Sequence, residues 1–213
     1  MRLSEKTIEL NFCAQLNAIY RGRIIWFGLT QRQEARFGFD TCTRMGGKLL
    51  LFQFKASNQI VGNARRFYAS HTQLQNLIGM TNHFYRSVFY VLPSIGTTLE
   101  LFNHNGNVIA NTWLLDVATL PNPFPHPYTR NGTLRRNGCH YIDLHLPTAS
   151  HSAKAIIHSD PIEVDLISAE AFFSQGLTGS DGLNRLFDGF DHFYEYTRNL
   201  KRNSLGAIVL PEE

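Results

Sequence analysis

The sequence contains few of the residues that would indicate a disulfide-stabilised or membrane-bound protein. Only three of its 213 residues are cysteines, and Cys13, Cys42 and Cys139 form no CxxC pair. This spacing argues against a disulfide framework and a cysteine-rich zinc site, and it favours a reducing compartment. The N-terminus is charged where a signal peptide is apolar, and no run approaches the roughly 18 apolar residues of a membrane span. We therefore expect a cytoplasmic protein without a membrane partner.

Charge is also scarce, because charged residues make up 17% of the chain and hydrophobic residues 43%. This balance is typical of a folded globular protein and not of a disordered chain. The formal net charge of +3 is too small to indicate nucleic-acid binding unless basic side chains cluster locally. The length allows one core, or a compact core with an appended unit.

Helical and strand patterns alternate over the first 95 residues. Ser4 is a candidate N-cap for a helix over about residues 5–19, where apolar residues recur at helical spacing. Further along, we predict a strand at 23–29, a hairpin of strands at 35–44 and 48–56, a polar link at 58–66, a helix at 67–84 and a strand at 87–93. The predicted order is helix, strand, strand, strand, helix, strand.

Residues 96–213 have a different pattern and are expected to form a β-rich and helical extension packed on a core of residues 1–95. Here we predict strands at 97–103, 107–118 and 141–146, a short helix at 168–177 and a long amphipathic helix at about 183–197. The prolines and glycines of 121–138 indicate a loop. The chain is therefore expected to be a mixed α/β protein of the α+β type.

Three polar residues of the predicted hairpin indicate a catalytic site. Asp40 ends the GFD run of one strand, and Gln53 and Lys55 lie two apart on the next, so these two side chains share one face. Such groups in an apolar strand are costly to bury unless they are ion-bound or hydrogen-bonded. A hard divalent cation takes carboxylate and amide oxygens, and a lysine stabilises or deprotonates a water beside a phosphate. The pattern predicts phosphodiester hydrolysis with Mg²⁺ or Mn²⁺.

The runs GFD and QFK, in this order of elements, resemble the PD-(D/E)XK nucleases. The resemblance is to the QxK variant found in Mrr-type restriction endonuclease domains, and it covers roughly residues 4–93. It implies a restriction-endonuclease-like core with a mixed central sheet. It also implies that Asp40, Gln53 and a glutamate of the first helix, Glu9, bind the metal, and that Lys55 positions the water.

Other residues are assigned around this motif. Glu34 is an alternative source of the additional acid, whereas Glu5 is explained as a solvated first-turn acid. By its position on the second helix, Gln73 or His71 is a candidate auxiliary residue. The basic and aromatic candidates for nucleic-acid contact are Arg65, Arg66, Tyr128, Arg130, Arg135 and Arg136, while Arg198, Lys201 and Arg202 are expected to complement the dipole of the last helix.

The nine histidines offer a third interpretation. They show no HExxH or HxxxH spacing, which argues against a histidine metal site. Asp143 and His145 share one face of a predicted strand, so a histidine-dependent hydrolase remains an alternative.

The favoured function is a metal-dependent endonuclease acting on DNA, with RNA left open. The resemblance implies a role in bacterial restriction or antiviral defence, with a second copy of the chain or a defence protein as partner. The alternative is an inactive protein of the nuclease fold that binds nucleic acid or a protein. The glutamine at position 53 supports that alternative, and the joint presence of Asp40 and Lys55 argues against it.

Overall fold

The computed structural model describes residues 1–22, 24–45, 48–84, 86–127, 138–158 and 161–175. Within these ranges, five α-helices and two β-sheets confirm the predicted mixed α/β class. The helices, α1 to α5 in chain order, are Glu5–Ile19, Gln31–Phe37, His71–Thr81, Thr98–Asn103 and Ala169–Gln175. The strands, β1 to β11, are Trp26–Gly28, Thr41–Met45, Lys48–Phe54, Ile60–Val61, Ala64–Ser70, Val88–Pro93, Thr112–Asp116, Cys139–His145, Lys154–His158, Pro161–Asp165 and Ile167–Ser168.

The first sheet has mixed polarity and the order β1-β2-β3-β6-β7-β11. Strands β3 and β6 run parallel, and each other neighbouring pair is antiparallel. The second sheet is antiparallel throughout, with the order β10-β9-β8-β5-β4. Because β7 pairs with β6 and β8 pairs with β5, both sheets combine strands from either side of residue 95.

Two hydrophobic clusters lie on opposite faces of the first sheet. Alternate residues of β3 point to opposite faces, so Phe52 and Phe54 pack with Phe12 of α1 and Phe173 of α5. The other face contributes a cluster that includes Leu51 and extends to α3 and the second sheet. The sheet is therefore covered on both faces, with α1 on one and α3 on the other.

The elements around the motif form as their sequences favour. The Ser4 side chain accepts a hydrogen bond from Thr7 N and caps α1, whose bounds match the prediction. The hairpin of β2 and β3 places Thr41 opposite Phe52 and Met45 opposite Lys48, so the predicted pairing of these strands is confirmed. Strands β6 and β8 and helix α5 also lie at their predicted places, within one or two residues.

Several predicted elements are wrong. Residues 97–103 form a helix instead of a strand, because the side chains of Thr97 and Glu100 close a capping box. Residues 31–37 form α2 where a strand was expected to begin at 35, and Thr30 and Gln33 close a second capping box. The link predicted at 58–66 contains β4 and the start of β5, and the following helix begins at 71 instead of 67.

Two further corrections concern the later strands. A short 3-10 helix at Ile109–Asn111 precedes β7, so the strand predicted at 107–118 is shorter than expected. The strand predicted at 23–29 is likewise confined to Trp26–Gly28. The amphipathic helix predicted at 183–197 lies outside the described residues. Within the described ranges, no helix has the length and apolar character needed to cross a membrane.

Candidate active site

Asp40 is held at the start of β2 by the turn that ends α2. Gly38 adopts a left-handed conformation, with φ of 86°, as the C-cap of that helix, a conformation that costs glycine little. The backbone N–H of Asp40 donates to Phe52 O at 2.9 Å. Asp40 Oδ2 accepts hydrogen bonds from Phe54 N at 2.7 Å and Gln53 Nε2 at 2.8 Å. The carboxylate is therefore attached to the strand that carries the rest of the motif.

Gln53 is almost completely buried, with 2% of its surface exposed. Its Nε2 donates to Asp40 Oδ2 and, at 3.1 Å, to Phe54 O. Its Oε1 is buried and has no hydrogen-bond partner among the described residues. A buried polar atom without a partner costs about 1–3 kcal/mol, so binding of a ligand at Oε1 would recover free energy.

Lys55 follows β3 and is also buried, with 7% of its surface exposed. Its Nζ donates to Gln73 Oε1 at 2.8 Å and lies 3.8 Å from Glu5 Oε1. The ammonium group also lies 5.8 Å from the centroid of the Tyr90 ring, within the range of cation–π attraction. Three neighbours therefore fix the lysine at the end of its strand.

The two predicted auxiliary residues lie at the start of α3 but make different contacts. Gln73 reaches Lys55, as described above. His71 instead places Nδ1 at 3.0 Å from Nε2 of His140 and packs its ring on that of His126, with centroids 4.3 Å apart. Burial lowers the pKa of His71, and the nearby His126 adds to the effect. Of the two candidates, Gln73 is the one that contacts the motif.

Helix α1 carries two acids that lie one turn apart. Glu9 is buried, and both of its carboxylate oxygens accept from Lys6 Nζ, at 2.9 and 3.0 Å. Glu5 is half exposed, yet it is the acid whose carboxylate approaches Lys55. Glu5 is thus exposed in the first turn of α1, as interpreted from the sequence, and it also pairs with Lys55. The i, i+4 spacing of the two glutamates, which places them on one face of a helix, was the signal that could have included Glu5.

Asp40 has an unusual protonation equilibrium for an aspartate. Its pKa is raised to about 7, mainly by burial and also by the negative charge of Glu5, although the hydrogen bonds from Phe54 N and Gln53 and the charge of Lys55 act to lower it. Burial also raises the pKa of Glu34, and the charge of Glu9 adds to that effect. Several acids thus compete for few positive charges, a situation that a bound cation would relieve.

The donor set fits a magnesium ion better than a softer metal. Within the described residues, no group of three or more histidine, cysteine, aspartate or glutamate side chains is arranged to hold a metal ion. Magnesium, however, keeps several of its waters and needs only one or two protein carboxylates. The Asp40 carboxylate and the unpartnered Oε1 of Gln53 supply oxygen donors of that kind.

Arg65 and Arg66 make internal contacts. The Arg65 guanidinium is buried and donates to Ser94 O at 2.8 Å, Ser57 O at 2.8 Å and Glu100 Oε1 at 3.0 Å. This arrangement anchors β5 to neighbouring loops, so we do not retain Arg65 as a phosphate contact.

Arg66 forms two hydrogen bonds with the Asp143 carboxylate, at 2.7 and 2.6 Å. The Asp143 carboxylate therefore pairs with an arginine, and its cooperation with His145 stays a prediction. Arg130, Arg135, Arg136 and Tyr128 lie outside the described residues, as do Arg198, Lys201 and Arg202.

The chain matches no protein-family model, and no curated protein and no solved structure matches it. The interpretation of the site therefore depends on its geometry and on the motif.

Proposed function

We propose that the protein is a metal-dependent nuclease that hydrolyses phosphodiester bonds at the site formed by Asp40, Gln53 and Lys55. The observation that carries the proposal is the convergence of these three residues at the ends of two paired strands, with Gln53 Oε1 buried and unpartnered. An acid, a neutral oxygen donor and a lysine are the groups that a cation-assisted attack on a phosphate requires.

The order of elements agrees with the proposed restriction-endonuclease-like core. Strands β1, β2 and β3 form an antiparallel meander, and the chain returns through α3 to β6, which lies parallel to β3. Helix α2 is inserted between β1 and β2, and β4 and β5 are inserted before α3. These insertions leave the helix, three strands, helix and strand of the proposed core in their expected succession.

The residues of the site have distinct proposed roles. Asp40 and Gln53 Oε1 would hold Mg²⁺ or Mn²⁺, together with Glu5 or Glu9 from α1. When bound there, such a cation would supply positive charge to stabilise the charge that develops on the phosphate. Lys55, held by Gln73, orients the attacking water or a phosphate oxygen. Deprotonation of Asp40, whose pKa is near 7, is needed for it to bind a cation at neutral pH.

We propose DNA as the substrate and a role in bacterial restriction or antiviral defence, on the strength of the resemblance to Mrr-type domains. An inactive protein of the same fold is the second candidate. It is favoured by one observation, that Lys6 already pairs with both oxygens of Glu9. This pair is partly exposed, and such pairs contribute only about 0–1 kcal/mol, so a cation could displace it.

The test is a cleavage assay on plasmid duplex, single-stranded DNA and RNA in Mg²⁺, Mn²⁺ or EDTA. Asp40→Ala and Lys55→Ala are compared with Lys154→Ala, which alters a lysine of the second sheet paired with Glu163. We expect metal-dependent cleavage by wild type and Lys154→Ala, and its loss in the two site variants. A folded wild type that neither cleaves these substrates nor binds a divalent cation in calorimetry would favour the binding protein.

A further inference from the structure

A second buried polar atom without a partner lies next to the motif, on the neighbouring strand. Tyr90 has 0% of its surface exposed, and its hydroxyl has no hydrogen-bond partner among the described residues. Tyr90 pairs in register with Gln53 across the parallel β3 and β6, so their side chains leave the same face of the sheet. The two unpartnered atoms therefore belong to adjacent residues on that face.

Tyr90 lies among apolar side chains and also contacts Lys55. Its ring packs in the cluster beneath α3, and its face lies 5.8 Å from Lys55 Nζ. Burial raises the pKa of the phenol, and the charges of Asp40 and Glu5 raise it further. The hydroxyl is therefore neutral in the working range of pH and remains available as a donor and an acceptor.

We propose that Tyr90 is a positioning residue of this site, and that its hydroxyl and Gln53 Oε1 together bind one buried water molecule. Buried waters occur where polar groups would otherwise lack partners, and they make two to four hydrogen bonds. The hydroxyl can donate to the water or accept from it, and Gln53 Oε1 accepts from it. A carbonyl oxygen has two lone pairs, so the water and a cation can share Gln53 Oε1.

The water would fix the orientation of the Gln53 amide. With Oε1 held toward Tyr90, Nε2 remains directed at Asp40 Oδ2, as observed at 2.8 Å. Rotation of the amide by a half turn would instead place an oxygen against the carboxylate. Tyr90 would thus act on the reaction through Gln53 and, by its ring, through Lys55. This role in the reaction depends on the proposed nuclease function, whereas the water site itself does not.

Tyr90→Phe separates these contributions, because it removes the hydroxyl and keeps the ring. We expect the melting temperature to fall by about 2–4 °C, the shift expected for one lost hydrogen bond in a chain of this size. The loss should be the same in EDTA as in Mg²⁺. A Tyr90→Phe protein that melts at or above the wild-type temperature, or differs from wild type only with Mg²⁺ present, would overturn the water assignment.

The positioning role is tested by kinetics. We expect Tyr90→Phe to lower kcat roughly five- to tenfold with KM unchanged, since an interaction of hydrogen-bond strength is lost from the transition state. Tyr68→Phe is the matched control, because it removes an exposed hydroxyl of the second sheet that bonds to Gln59, and it should retain wild-type kcat.

The outcomes distinguish the two proposals. Wild-type cleavage with equal kcat in Tyr90→Phe would refute the positioning role and leave the nuclease intact. Absence of cleavage by wild type would refute the nuclease and the positioning role with it, while the melting temperatures, measured without substrate, would still decide the water site.

Discussion

Gln53 donates a hydrogen bond through Nε2 to Oδ2 of Asp40 at 2.8 Å, so the neutral residue of the motif is bound directly to its acid. A glutamate at position 53 would place two carboxylates in this contact, and like charges at that distance cannot both ionise readily. In the absence of a cation, the glutamine therefore stabilises the site that an acid would destabilise. The residues that make cation binding possible therefore lower the stability of the metal-free protein when they are charged.

Asp40→Asn should stabilise the protein at pH 8 and abolish cleavage. The folded-state pKa of Asp40 is about 7, above its ordinary value of 3.8. The stability that this group contributes is therefore fully present below pH 4 and is lost as pH rises to about 7. Asparagine is neutral throughout, so we expect a gain of about 2–4 kcal/mol at pH 8, measured by thermal unfolding without metal.

The pH dependence provides the control for this variant. The advantage of Asp40→Asn should shrink as pH falls from 7 toward 4 and disappear near pH 3, where the aspartate is mainly neutral in both states. Asp165→Asn, at an exposed position on β10, should leave the melting temperature unchanged. An Asp40→Asn protein that is less stable than wild type at pH 8 would show that the carboxylate is held in its charged form.

Gln53→Glu should lower the stability of the metal-free protein and raise its affinity for Mg²⁺. The glutamate loses the two hydrogen bonds that Nε2 donates and adds a charge beside Asp40. We expect a loss of about 2–4 kcal/mol in unfolding free energy in EDTA. With Mg²⁺ the additional carboxylate should increase the affinity, by roughly tenfold or more.

Gln53→Met is the counterpart of this variant, because it keeps a similar volume but offers neither a donor nor an oxygen ligand. Calorimetric titration of Mg²⁺ into wild type and both variants checks the prediction. The expected order of affinity is glutamate, glutamine, methionine. Weaker Mg²⁺ binding by Gln53→Glu than by wild type would remove position 53 from the metal site.

Glu5→Gln and Glu9→Gln decide which acid of α1 serves the site. Glu5 lies 3.8 Å from Lys55 and raises the pKa of Asp40, whereas Glu9 pairs with Lys6. Removing the charge of Glu5 should therefore lower the pKa of Asp40 and move the acid limb of the activity profile to lower pH. We also expect kcat/KM to fall by roughly tenfold if Glu5 holds the cation.

Glu9→Gln is expected to leave the acid limb of the pH–activity profile at its wild-type pH. Where activity is too low for a profile, an NMR titration of the Asp40 carboxyl carbon measures the same change in pKa. If instead Glu9→Gln gives the larger loss of activity and of Mg²⁺ affinity, the helix acid is Glu9 and its pair with Lys6 opens when the cation binds.

The local part of the site could be predicted from the sequence. Asp40, Gln53 and Lys55 lie on a hairpin whose register follows from two apolar runs around Gly46-Gly47, and the two-residue period of a strand fixes their common face. The contacts of Glu5 and Gln73 with Lys55 depend on how α1 and α3 pack on the sheet. That packing is set by contacts between residues far apart in the chain, which single-sequence patterns do not contain.

The wrong elements have an identifiable cause. Both missed helices begin with a capping box, at Thr30 with Gln33 and at Thr97 with Glu100, but they are too short for hydrophobic periodicity to be visible. The missed strand β5 alternates, with Phe67 and Ala69 buried and Tyr68 exposed. It is followed directly by the helical pattern of α3, which obscured the alternation. Its partner β8 begins at residue 139, and so distant a pairing could not be predicted.

Gly96 is the position where a single methyl group should damage the fold most clearly. A Cβ there would lie 2.0 Å from Ser57 O and 2.3 Å from Arg65 Nη1, the two groups whose hydrogen bond joins β5 to the link between β3 and β4. The Ser57 backbone lies on one side of this Cβ. On the other side lies the buried Arg65 guanidinium, which donates three hydrogen bonds, so neither neighbour can move aside easily. We expect Gly96→Ala to lower the unfolding free energy by about 3 kcal/mol or more.

Gly79→Ala is the matched control, since that helical position has open space and the variant should gain about 0.5–1 kcal/mol in unfolding free energy. Chemical denaturation of both variants checks the pair, and a Gly96→Ala protein as stable as wild type would mean that the Arg65 anchor can move.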